Sequence, residues 1–318
     1  MTEKQLVARV RELFSTKIGD DAAIVDSHVV TTDMMIEDID FTRAAPLRLI
    51  ARKSLAVNLS DIAAMGARPW YALVSLGLPD WIHADIDAFL VAMRDAANGW
   101  KIEIVGGDFS RAEKLTISVT ATGKIEKRAL LRSGAKPGDR IYVSRPIGGS
   151  TAGLHLLSRD VTSLPFVQRE FANSAIARHL DPEPEIDLGL ALAGIAEVTS
   201  CIDISDGLST DLHHLCDSSQ CGAEIERERI PVFPDLLEFG PRLGVRVRDA
   251  VLHGGEEYAL LFTASMRESE LSARVRRPVY AIGRITSERG VMVKENGVAQ
   301  PLEALGWDHF SANRPATS

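Results

Sequence analysis

The sequence predicts an α/β protein of two domains, and three observations support that prediction. At 318 residues, the chain is long for a single hydrophobic core and natural for two domains. Segments with strand-like and helix-like patterns follow one another along it. A turn-rich segment at 133–139 (SGAKPGD) separates the two halves. We therefore expect an α+β domain at 1–138 and an α/β or α+β domain at 139–318.

In the first half, three segments are predicted as helices. Apolar residues recur on one face at 4–14 and again at 46–65, where Pro46 suits the first turn of a helix. A third helix is predicted at 85–98. The remaining apolar stretches predict strands at 22–26, 28–36, 71–77, 102–106 and 116–125. Together these elements indicate a domain with a mostly apolar sheet.

The second half alternates strand and helix. Its strands are predicted at 140–144, at the segment that ends in Asp203, and at 223–227, 258–263, 279–285 and 291–295. Its helices are predicted at 151–158, 167–178, 187–196 and 208–217. No internal repeat of short fixed period and no low-complexity tract interrupts this pattern. Such alternation is typical of one domain with helices packed on a sheet.

The composition argues against several classes of function. With 36 basic and 44 acidic residues, the net charge is −8, which disfavours nonspecific binding to nucleic acid or to anionic membrane. The N-terminal segment mixes charged with apolar residues, unlike a signal peptide, and the apolar run at 188–196 is too short to span a bilayer. Three cysteines, an odd number, suit a reducing compartment. We therefore predict a cytoplasmic protein.

Five short segments each place an aspartate beside glycine, serine or threonine, and we predict them as loops at the ends of strands or helices. They are 19–23 (GDDAA), 31–33 (TTD), 58–61 (NLSD), 106–108 (GGD) and 203–207 (DISDG). Carboxylates in such loops suit hard divalent cations, which prefer oxygen ligands and keep water in their remaining positions. The pattern therefore points to Mg²⁺ and phosphate chemistry.

The metal interpretation depends on whether these carboxylates converge. For any single aspartate, a turn or a helix cap is the simpler interpretation. Two carboxylates about 5 Å apart repel by roughly 3 kcal/mol at an effective dielectric constant near 20. Five of them together would repel by more than the whole stability of a domain. Convergence of the five segments in space therefore predicts bound cations.

Motifs for other kinds of phosphate or metal site are absent from the sequence. There is no Gly-x-x-x-x-Gly-Lys-Ser/Thr phosphate loop and no Gly-x-Gly-x-x-Gly fingerprint. The segment 203–214 begins like an EF-hand loop, but its twelfth position is His214 where a glutamate is required. A zinc site around His213 and His214 is disfavoured because adjacent histidines on a helix point in different directions.

Six blocks, spread over nearly the whole chain, resemble the thiamine-monophosphate kinase family, within the superfamily of aminoimidazole-ribonucleotide synthetase-like ATP-binding proteins. The blocks are 18–22, 56–67, 132–139, 202–208, 254–256 and 306–310. The resemblance implies a two-domain PurM-like fold, in which the N-terminal sheet domain forms a homodimer and the larger C-terminal α/β domain completes the site. It also implies ATP-dependent phosphorylation of thiamine monophosphate to thiamine diphosphate, with several Mg²⁺ ions.

The resemblance further implies the roles of individual residues. The magnesium ligands would be Asp21, Thr31, Thr32, Asp33, Asp61, Asp108, Asp203 and Asp206. The catalytic subset would be Asp33, Asp61, Asp108 and Asp206. The ATP contacts would be Gly107, Asp108, Arg132 and Ser205. The contacts to thiamine monophosphate would be Asp40, Glu256 and Trp307.

One position departs from the family pattern. Where the family commonly has a histidine before a phenylalanine, this chain has Asp40 before Phe41, so a carboxylate replaces an imidazole that contacts the substrate in the family. Two other interpretations stay open. One is another ATP-dependent enzyme of the superfamily with a different phosphate-bearing substrate, and the other is a nucleotide-binding regulator without turnover. The full set of aspartates favours catalysis, by direct in-line phosphoryl transfer.

Overall fold

A computed structural model describes residues 3–15 and 18–310 of the chain. The helices in this part are α1 (Glu3–Leu13), α2 (Leu47–Ala64), α3 (Ile86–Trp100), α4 (Gly149–Leu157), α5 (Phe166–Leu180), α6 (Ile186–Ala193), α7 (Leu208–Ser219), α8 (Leu236–Phe239), α9 (Val247–Leu252) and α10 (Glu268–Val275). The strands are β1 (Ala23–Val25), β2 (His28–Ile36), β3 (Arg68–Leu78), β4 (Glu103–Arg111), β5 (Thr116–Lys124), β6 (Arg140–Val143), β7 (Val198–Asp203), β8 (Gly222–Glu226), β9 (Leu260–Ala264), β10 (Tyr280–Thr286), β11 (Gly290–Glu295) and β12 (Val298–Pro301). The predicted α/β fold class is confirmed.

The first sheet has five strands in the order β1-β2-β5-β3-β4, and α2 packs on one face of it. Its strand pairs are antiparallel except β3 with β4, which run parallel because α3 connects them. Side chains alternate between the faces, so Ile117 and Val119 of β5 are buried in the core that includes α2. The other face carries exposed apolar side chains, among them Leu73 and Val105, which are 48% and 53% exposed.

The second sheet has seven strands in the order β12-β11-β8-β10-β6-β9-β7. Its pairs are antiparallel except β11 with β8. Helices α4, α5 and α7 cover a large apolar core that includes Ile141, Ile202 and Leu212. Strand β7 lies at one edge of this sheet and ends at Asp203, so this aspartate is held at a strand terminus.

Helix α2 lies between the two sheets and is buried on almost all sides. Thirteen of its eighteen residues are buried, including the polar Lys53, Asn58 and Ser60. Besides β2, β3 and β5, it contacts α6 and β7 of the second half of the chain. Polar side chains on a helix in this position reach the region where the two halves meet. This is the helix that the apolar pattern predicted at 46–65, and that prediction is confirmed.

Of the five segments predicted as loops, three lie inside regular elements, and two of these fall within the strand predicted at 28–36 and the helix predicted at 46–65, which are confirmed. The segments 31–33, 58–61 and 106–108 lie within β2, α2 and β4, and only 19–23 and the end of 203–207 are irregular. Turn propensity was overridden in these segments by packing and strand pairing, since β2 pairs along its full length with β5 and β4 pairs with β3. The short elements α8, α9, α10 and β12 were not predicted.

The boundary predicted between 138 and 139 falls between β5 and β6 and stays a prediction. Positions 1–2 and 311–318, at the outer ends of the two predicted domains, lie outside the described residues. Within the described part of the chain, every helix is too short or too polar to cross a membrane.

Candidate active site

Three carboxylates from separate elements meet between the two sheets, and we call Asp21, Asp61 and Asp203 the acidic cluster. Asp21 lies in the loop before β1, Asp61 in the last turn of α2, and Asp203 at the end of β7. One ligand oxygen from each lies within 4.8 Å of the others. Three of the predicted metal-binding segments therefore converge, although they are separated by up to 182 positions in sequence (203 − 21).

Hydroxyl groups and one guanidinium orient the acidic cluster. Thr31 Oγ1 donates to Asp61 Oδ2, and Ser60 Oγ donates to Asp203 Oδ2. Arg132 lies 2.6 Å from Asp21 Oδ1 through Nη2. The other oxygen of Asp21, Oδ2, is buried and has no hydrogen-bond partner in the described part of the chain. An unsatisfied buried carboxylate oxygen indicates a position for an external ligand, such as a cation.

The electrostatics of the acidic cluster oppose ionisation of all three groups together. Burial, and then the charge of Asp203 among others, raises the pKa of Asp21 to about 7 against the attraction of Arg132. Burial likewise raises the pKa of Asp203 to about 6 against the hydrogen bond from Ser60. The pKa of Asp61 lies well above its usual value because of burial and then the neighbouring carboxylates. One arginine does not balance this charge, so the site lacks positive charge.

Strand β2 divides its predicted ligands between two faces, because successive side chains of a strand alternate. Thr31 and Asp33 share the face towards Asp61, whereas Thr32 is exposed on the other face and donates to a carbonyl of β5. Burial, and then the charge of Asp40, raises the pKa of Asp33 to about 6. The structure therefore brings Thr31 and Asp33 to the acidic cluster and leaves the Thr32 side chain outside it.

A second group of metal-binding type follows the acidic cluster in sequence and consists of Asp206, Asp211 and His214. Asp211, which was not predicted, is buried and accepts from the backbone N–H groups of Asp206 (3.2 Å) and Gly207 (3.0 Å). Only glycine fits at 207, where φ is 124° and a Cβ would lie 2.6 Å from a backbone oxygen of His253. The i, i+3 spacing of Asp211 and His214 on α7 is the sequence signal that could have found this group.

Arg132 is held from two sides at the edge of the acidic cluster. Its backbone N–H donates to Asp20 Oδ1 at 2.7 Å, and its guanidinium binds Asp21. Burial alone would lower the pKa of Arg132, but the Asp21 carboxylate outweighs it and raises the pKa. The predicted contact Ser205 lies nearby in sequence, in the turn after β7, and is half-buried. This arrangement places a permanent cation beside the carboxylates.

Gly107 and Asp108 lie apart from the acidic cluster. Both are exposed on β4, the edge strand of the first sheet, and Asp108 belongs to neither group of metal-binding geometry in the described residues. A Cβ at Gly107 would lie 1.7 Å from the carbonyl oxygen of Val74, so the close pairing of β4 with β3 requires glycine there. Within one subunit, the structure therefore does not bring these two predicted residues to the other aspartates.

Glu256 lies on the second half of the chain and pairs with a lysine of the first. Lys53 Nζ lies 2.8 Å from Glu256 Oε1, and His179 Nδ1 lies 3.2 Å from Glu256 Oε2. Burial alone would raise the pKa of Glu256, but Lys53 and then His179 outweigh it and lower the pKa. Sequence reasoning missed Lys53, whose signal was a lysine within the mostly buried, apolar segment of α2.

Asp40 and Trp307 both lie near His309. Asp40 Oδ2 accepts from the backbone N–H of Ile36 at 2.7 Å, and burial raises the pKa of Asp40 although this hydrogen bond and then the charge of His309 oppose the rise. Trp307 is 38% exposed, and its backbone N–H donates to the carbonyl of Asp206 at 3.0 Å. Its indole meets the His309 ring edge-on at 5.6 Å. The C-terminal segment is therefore attached to the loop that follows Asp203.

Family models and sequences of known proteins match this chain along most of its length. Residues 19–125 match the AIR synthase related protein, N-terminal domain, and residues 136–295 match the corresponding C-terminal domain. The thiamine-monophosphate kinase of Bacillus subtilis (strain 168) is 36% identical over 308 residues, which cover 92% of this chain and 93% of that protein. The thiamine-monophosphate kinase of Escherichia coli (strain K12) is 36% identical over 305 residues, which cover 92% and 91%.

A solved structure shows the same fold over almost the whole chain. AaThiL complexed with AMPPCP and TMP superposes with a TM-score of 0.85 at 33% identity and covers 97% of both chains. The agreement extends over both sheets, so it includes all the elements that form the acidic cluster.

Proposed function

Since this chain belongs to the thiamine-monophosphate kinase family, we propose that it transfers a phosphoryl group from ATP to thiamine monophosphate at the acidic cluster. The protein is an ATP-dependent kinase that forms thiamine diphosphate. The observation that carries the location of the site is the convergence of Asp21, Asp61 and Asp203, with one ligand oxygen of each within 4.8 Å of the others.

The acidic cluster fits Mg²⁺. Its donors are carboxylate oxygens, which this cation prefers, and Asp21 Oδ2 is buried without a partner among the described groups. We assign Asp21, Asp61 and Asp203 as ligands, with Asp33 and Thr31 beside them and Asp206 in the second group. Bound Mg²⁺ would supply positive charge that relieves the repulsion between the phosphates of the two substrates. The residues of this chain would hold and orient these charges.

Phosphoryl transfer to a phosphate monoester needs little proton transfer, because the attacking oxygen is already anionic near neutral pH. The protein must therefore align two anions and exclude water. Arg132 can donate to a phosphate oxygen from the edge of the acidic cluster while Asp20 holds its backbone. Ser205, next to Asp206, would contact ATP from the turn after β7. We propose direct in-line transfer without a phosphoenzyme.

Glu256, Asp40 and Trp307 are proposed to bind the thiamine part of the substrate. Glu256 and Asp40 offer carboxylates, which complement a cationic thiazolium ring, and Trp307 offers a half-exposed aromatic face. In this assignment, Asp40 introduces a negative charge where the family has a histidine. We expect Asp40→His to change the KM for thiamine monophosphate by at least about threefold while the KM for ATP stays the same, and steady-state kinetics would measure both values.

A homodimer is proposed through the uncovered face of the first sheet. Exposed apolar side chains lie there and on the edge strand, including Leu73, Val105 and Phe109, and such a patch is typical of an interface. Gly107 and Asp108 lie on the same edge strand, so the proposed dimer places ATP near the interface. A cytoplasmic location also stays a prediction, for which the three free, buried cysteines are favourable.

The test of function combines the purified protein with ATP, Mg²⁺ and thiamine monophosphate. We expect thiamine diphosphate and ADP in equal amounts, and no product when EDTA removes the metal. Asp61→Asn should lower kcat by about a hundredfold or more, because the acidic cluster loses a charge that binds Mg²⁺. The exposed Asp95 serves as the matched control, as Asp95→Asn removes a carboxylate that belongs to neither group of metal-binding geometry among the described residues. ATP turnover without thiamine diphosphate would instead favour another superfamily enzyme, and binding without turnover a regulator.

A further inference from the structure

The two halves of the chain are joined beside the substrate region by an ion pair between a buried lysine and a half-buried glutamate. Lys53 comes from α2, which packs on the first sheet, whereas Glu256 comes from the loop between α9 and β9 of the second half. Lys53 is only 3% exposed, and its Nζ lies 2.8 Å from Glu256 Oε1. A buried lysine is rarely tolerated without a partner, and this one points at a proposed substrate contact.

The backbone around Glu256 is fixed in an uncommon conformation. Glu256 has φ of 56° and Tyr258 has φ of 46°, both in the left-handed region that non-glycine residues seldom occupy. The N–H of Glu256 donates to the carbonyl of Ser205 at 2.7 Å, and that of Tyr258 to Ile204 at 2.8 Å. These backbone hydrogen bonds hold the loop against the turn that follows Asp203, so the backbone position of Glu256 is set independently of Lys53.

The neighbouring carboxylate, Glu257, is directed away from the substrate region. Glu257 Oε1 accepts from the backbone N–H groups of Gly148 (2.8 Å) and Ser150 (2.9 Å) at the start of α4. Arg145 donates to the carbonyl oxygen of Glu257 at 3.0 Å. Oε1 of Glu257 is therefore held within its own half of the chain, and Oε2 lies 3.5 Å from Arg178 Nε of the same half. Of the two adjacent glutamates, only Glu256 remains to face Lys53 and the substrate.

His179 cannot replace Lys53 as the cation for Glu256. Burial, and then the charge of Lys53, lowers the pKa of His179 to about 4, so its imidazole is neutral at physiological pH. It also lies 3.1 Å from Ser150 Oγ, which fixes the ring. The ammonium of Lys53 is thus the nearest permanent positive charge recorded at Glu256.

We propose that Lys53 is a positioning residue for substrate binding, which holds the Glu256 carboxylate ionised and aimed at the thiamine part of the substrate. The proposal rests on the proposed role of Glu256. Without the ammonium, a carboxylate at this half-buried position would take up a proton or turn towards water. Either change removes a fixed acceptor from the substrate region, and neither alters the acidic cluster that binds the metal and ATP.

Equilibrium binding separates this role from a general effect on folding. Thiamine monophosphate and a nonhydrolysable ATP analogue with Mg²⁺ would each be titrated into the wild type and into Lys53→Met by calorimetry. We expect thiamine monophosphate to bind about tenfold to a hundredfold more weakly to the variant, and the ATP analogue within about twofold of the wild type. The proposal would be overturned if Lys53→Met lost affinity for both ligands equally, or if it bound thiamine monophosphate as tightly as the wild type does.

The adjacent residue Arg52 provides the matched control. It also lies on α2 and forms an ion pair with the second half of the chain, through Asp181 and Glu183, but it does not contact Glu256. Arg52→Met should leave the affinity for thiamine monophosphate within about twofold, since the ion pair between Lys53 and Glu256 stays intact. If Arg52→Met weakens binding as much as Lys53→Met does, the effect belongs to the contact between the two halves and the proposal fails.

A double variant tests whether Lys53 acts through Glu256. Glu256→Gln with Lys53→Met should bind thiamine monophosphate no more weakly than Glu256→Gln alone, because the carboxylate that Lys53 holds is already absent. If the double variant instead loses affinity by the product of the two single-variant factors, the two residues act independently and the proposal is contradicted. The wild type distinguishes the two levels of inference. If it does not bind thiamine monophosphate at all, the proposed function fails, whereas normal wild-type binding with an unaffected Lys53→Met variant rejects only the role of Lys53.

Discussion

Replacing Asp203 by asparagine would show whether the acidic cluster is destabilised by its own charge and stabilised by a cation. Asp203 is buried at the end of β7, and asparagine can still accept the hydrogen bond from Ser60 while the negative charge is removed. In the absence of divalent cations, the variant should therefore be more stable than the wild type at alkaline pH. This outcome is unusual, because most substitutions of buried residues destabilise a protein even when they keep the shape of the side chain.

The size of the stability difference between Asp203→Asn and the wild type follows from the pKa of Asp203. Burial, opposed by Ser60, raises it from 3.8 to about 6, so the folded state binds this proton more tightly than the unfolded state does. Stability is then highest below pH 3.8 and falls as pH rises through about 6. Above that pH, the free energy of unfolding is lower by about 3 kcal/mol than at low pH, and roughly half of this decrease has occurred at pH 5. The variant lacks this penalty because asparagine does not ionise.

Thermal unfolding with and without Mg²⁺ provides the assay. In EDTA at pH 8, we expect the Tm of Asp203→Asn to exceed that of the wild type by roughly 5 °C, with a smaller difference at pH 5. Mg²⁺ at about 100 times its Kd should stabilise the wild type by about 2.7 kcal/mol and the variant much less. A variant that is less stable than the wild type in EDTA at pH 8, or that Mg²⁺ stabilises equally, would refute the reasoning.

Three further predictions concern ATP, the dimer and Asp211. Arg132→Met should raise the KM for ATP by about tenfold to a hundredfold in steady-state assays, because a charge-assisted bond to phosphate is lost; an unchanged KM would contradict the assignment. Leu73→Asp should give monomers in analytical ultracentrifugation, whereas the control Leu237→Asp, exposed on α8, should not. Asp211→Ala should lower kcat by at least about tenfold, since Asp206 loses its support, and Asp211→Asn should recover part of that loss.

The sequence predicted that aspartates from distant segments meet more reliably than it predicted the local structure around each of them. Asp21, Asp61 and Asp203 were grouped correctly because aspartates beside small polar residues are typical of oxygen-ligand sites and because the family resemblance covered each of them. Thr32 lies within the strand predicted at 28–36, whereas Asp108 lies in β4, beyond the end of the strand predicted at 102–106. Turn-forming residues indicate local preference only, and pairing with a neighbouring strand outweighed it. As a result, the Thr32 side chain lies on the face of the sheet that points away from the acidic cluster. The register between β2 and β5 determines this face.

Residues that act through other residues left only weak signals in the sequence. Lys53 resembles any lysine of an amphipathic helix until α2 is seen to be buried between two sheets. The same holds for Asp211, whose two hydrogen bonds go to backbone groups that carry no signal in the sequence. Such residues are identified by burial together with a partner, and both properties come from the tertiary fold.

The two ends of the proposed site differ in how they balance negative charge. Asp203 is buried and Glu256 is half-buried, yet the pKa of Asp203 is raised to about 6 and that of Glu256 is lowered. The difference lies in the neighbours, since Asp203 faces other carboxylates whereas Glu256 faces Lys53. A carboxylate with its own cation can serve as a fixed acceptor in the free protein. Carboxylates without one need a cation from solution, and this distinction is why the metal is expected at the acidic cluster and the thiamine part of the substrate at Glu256.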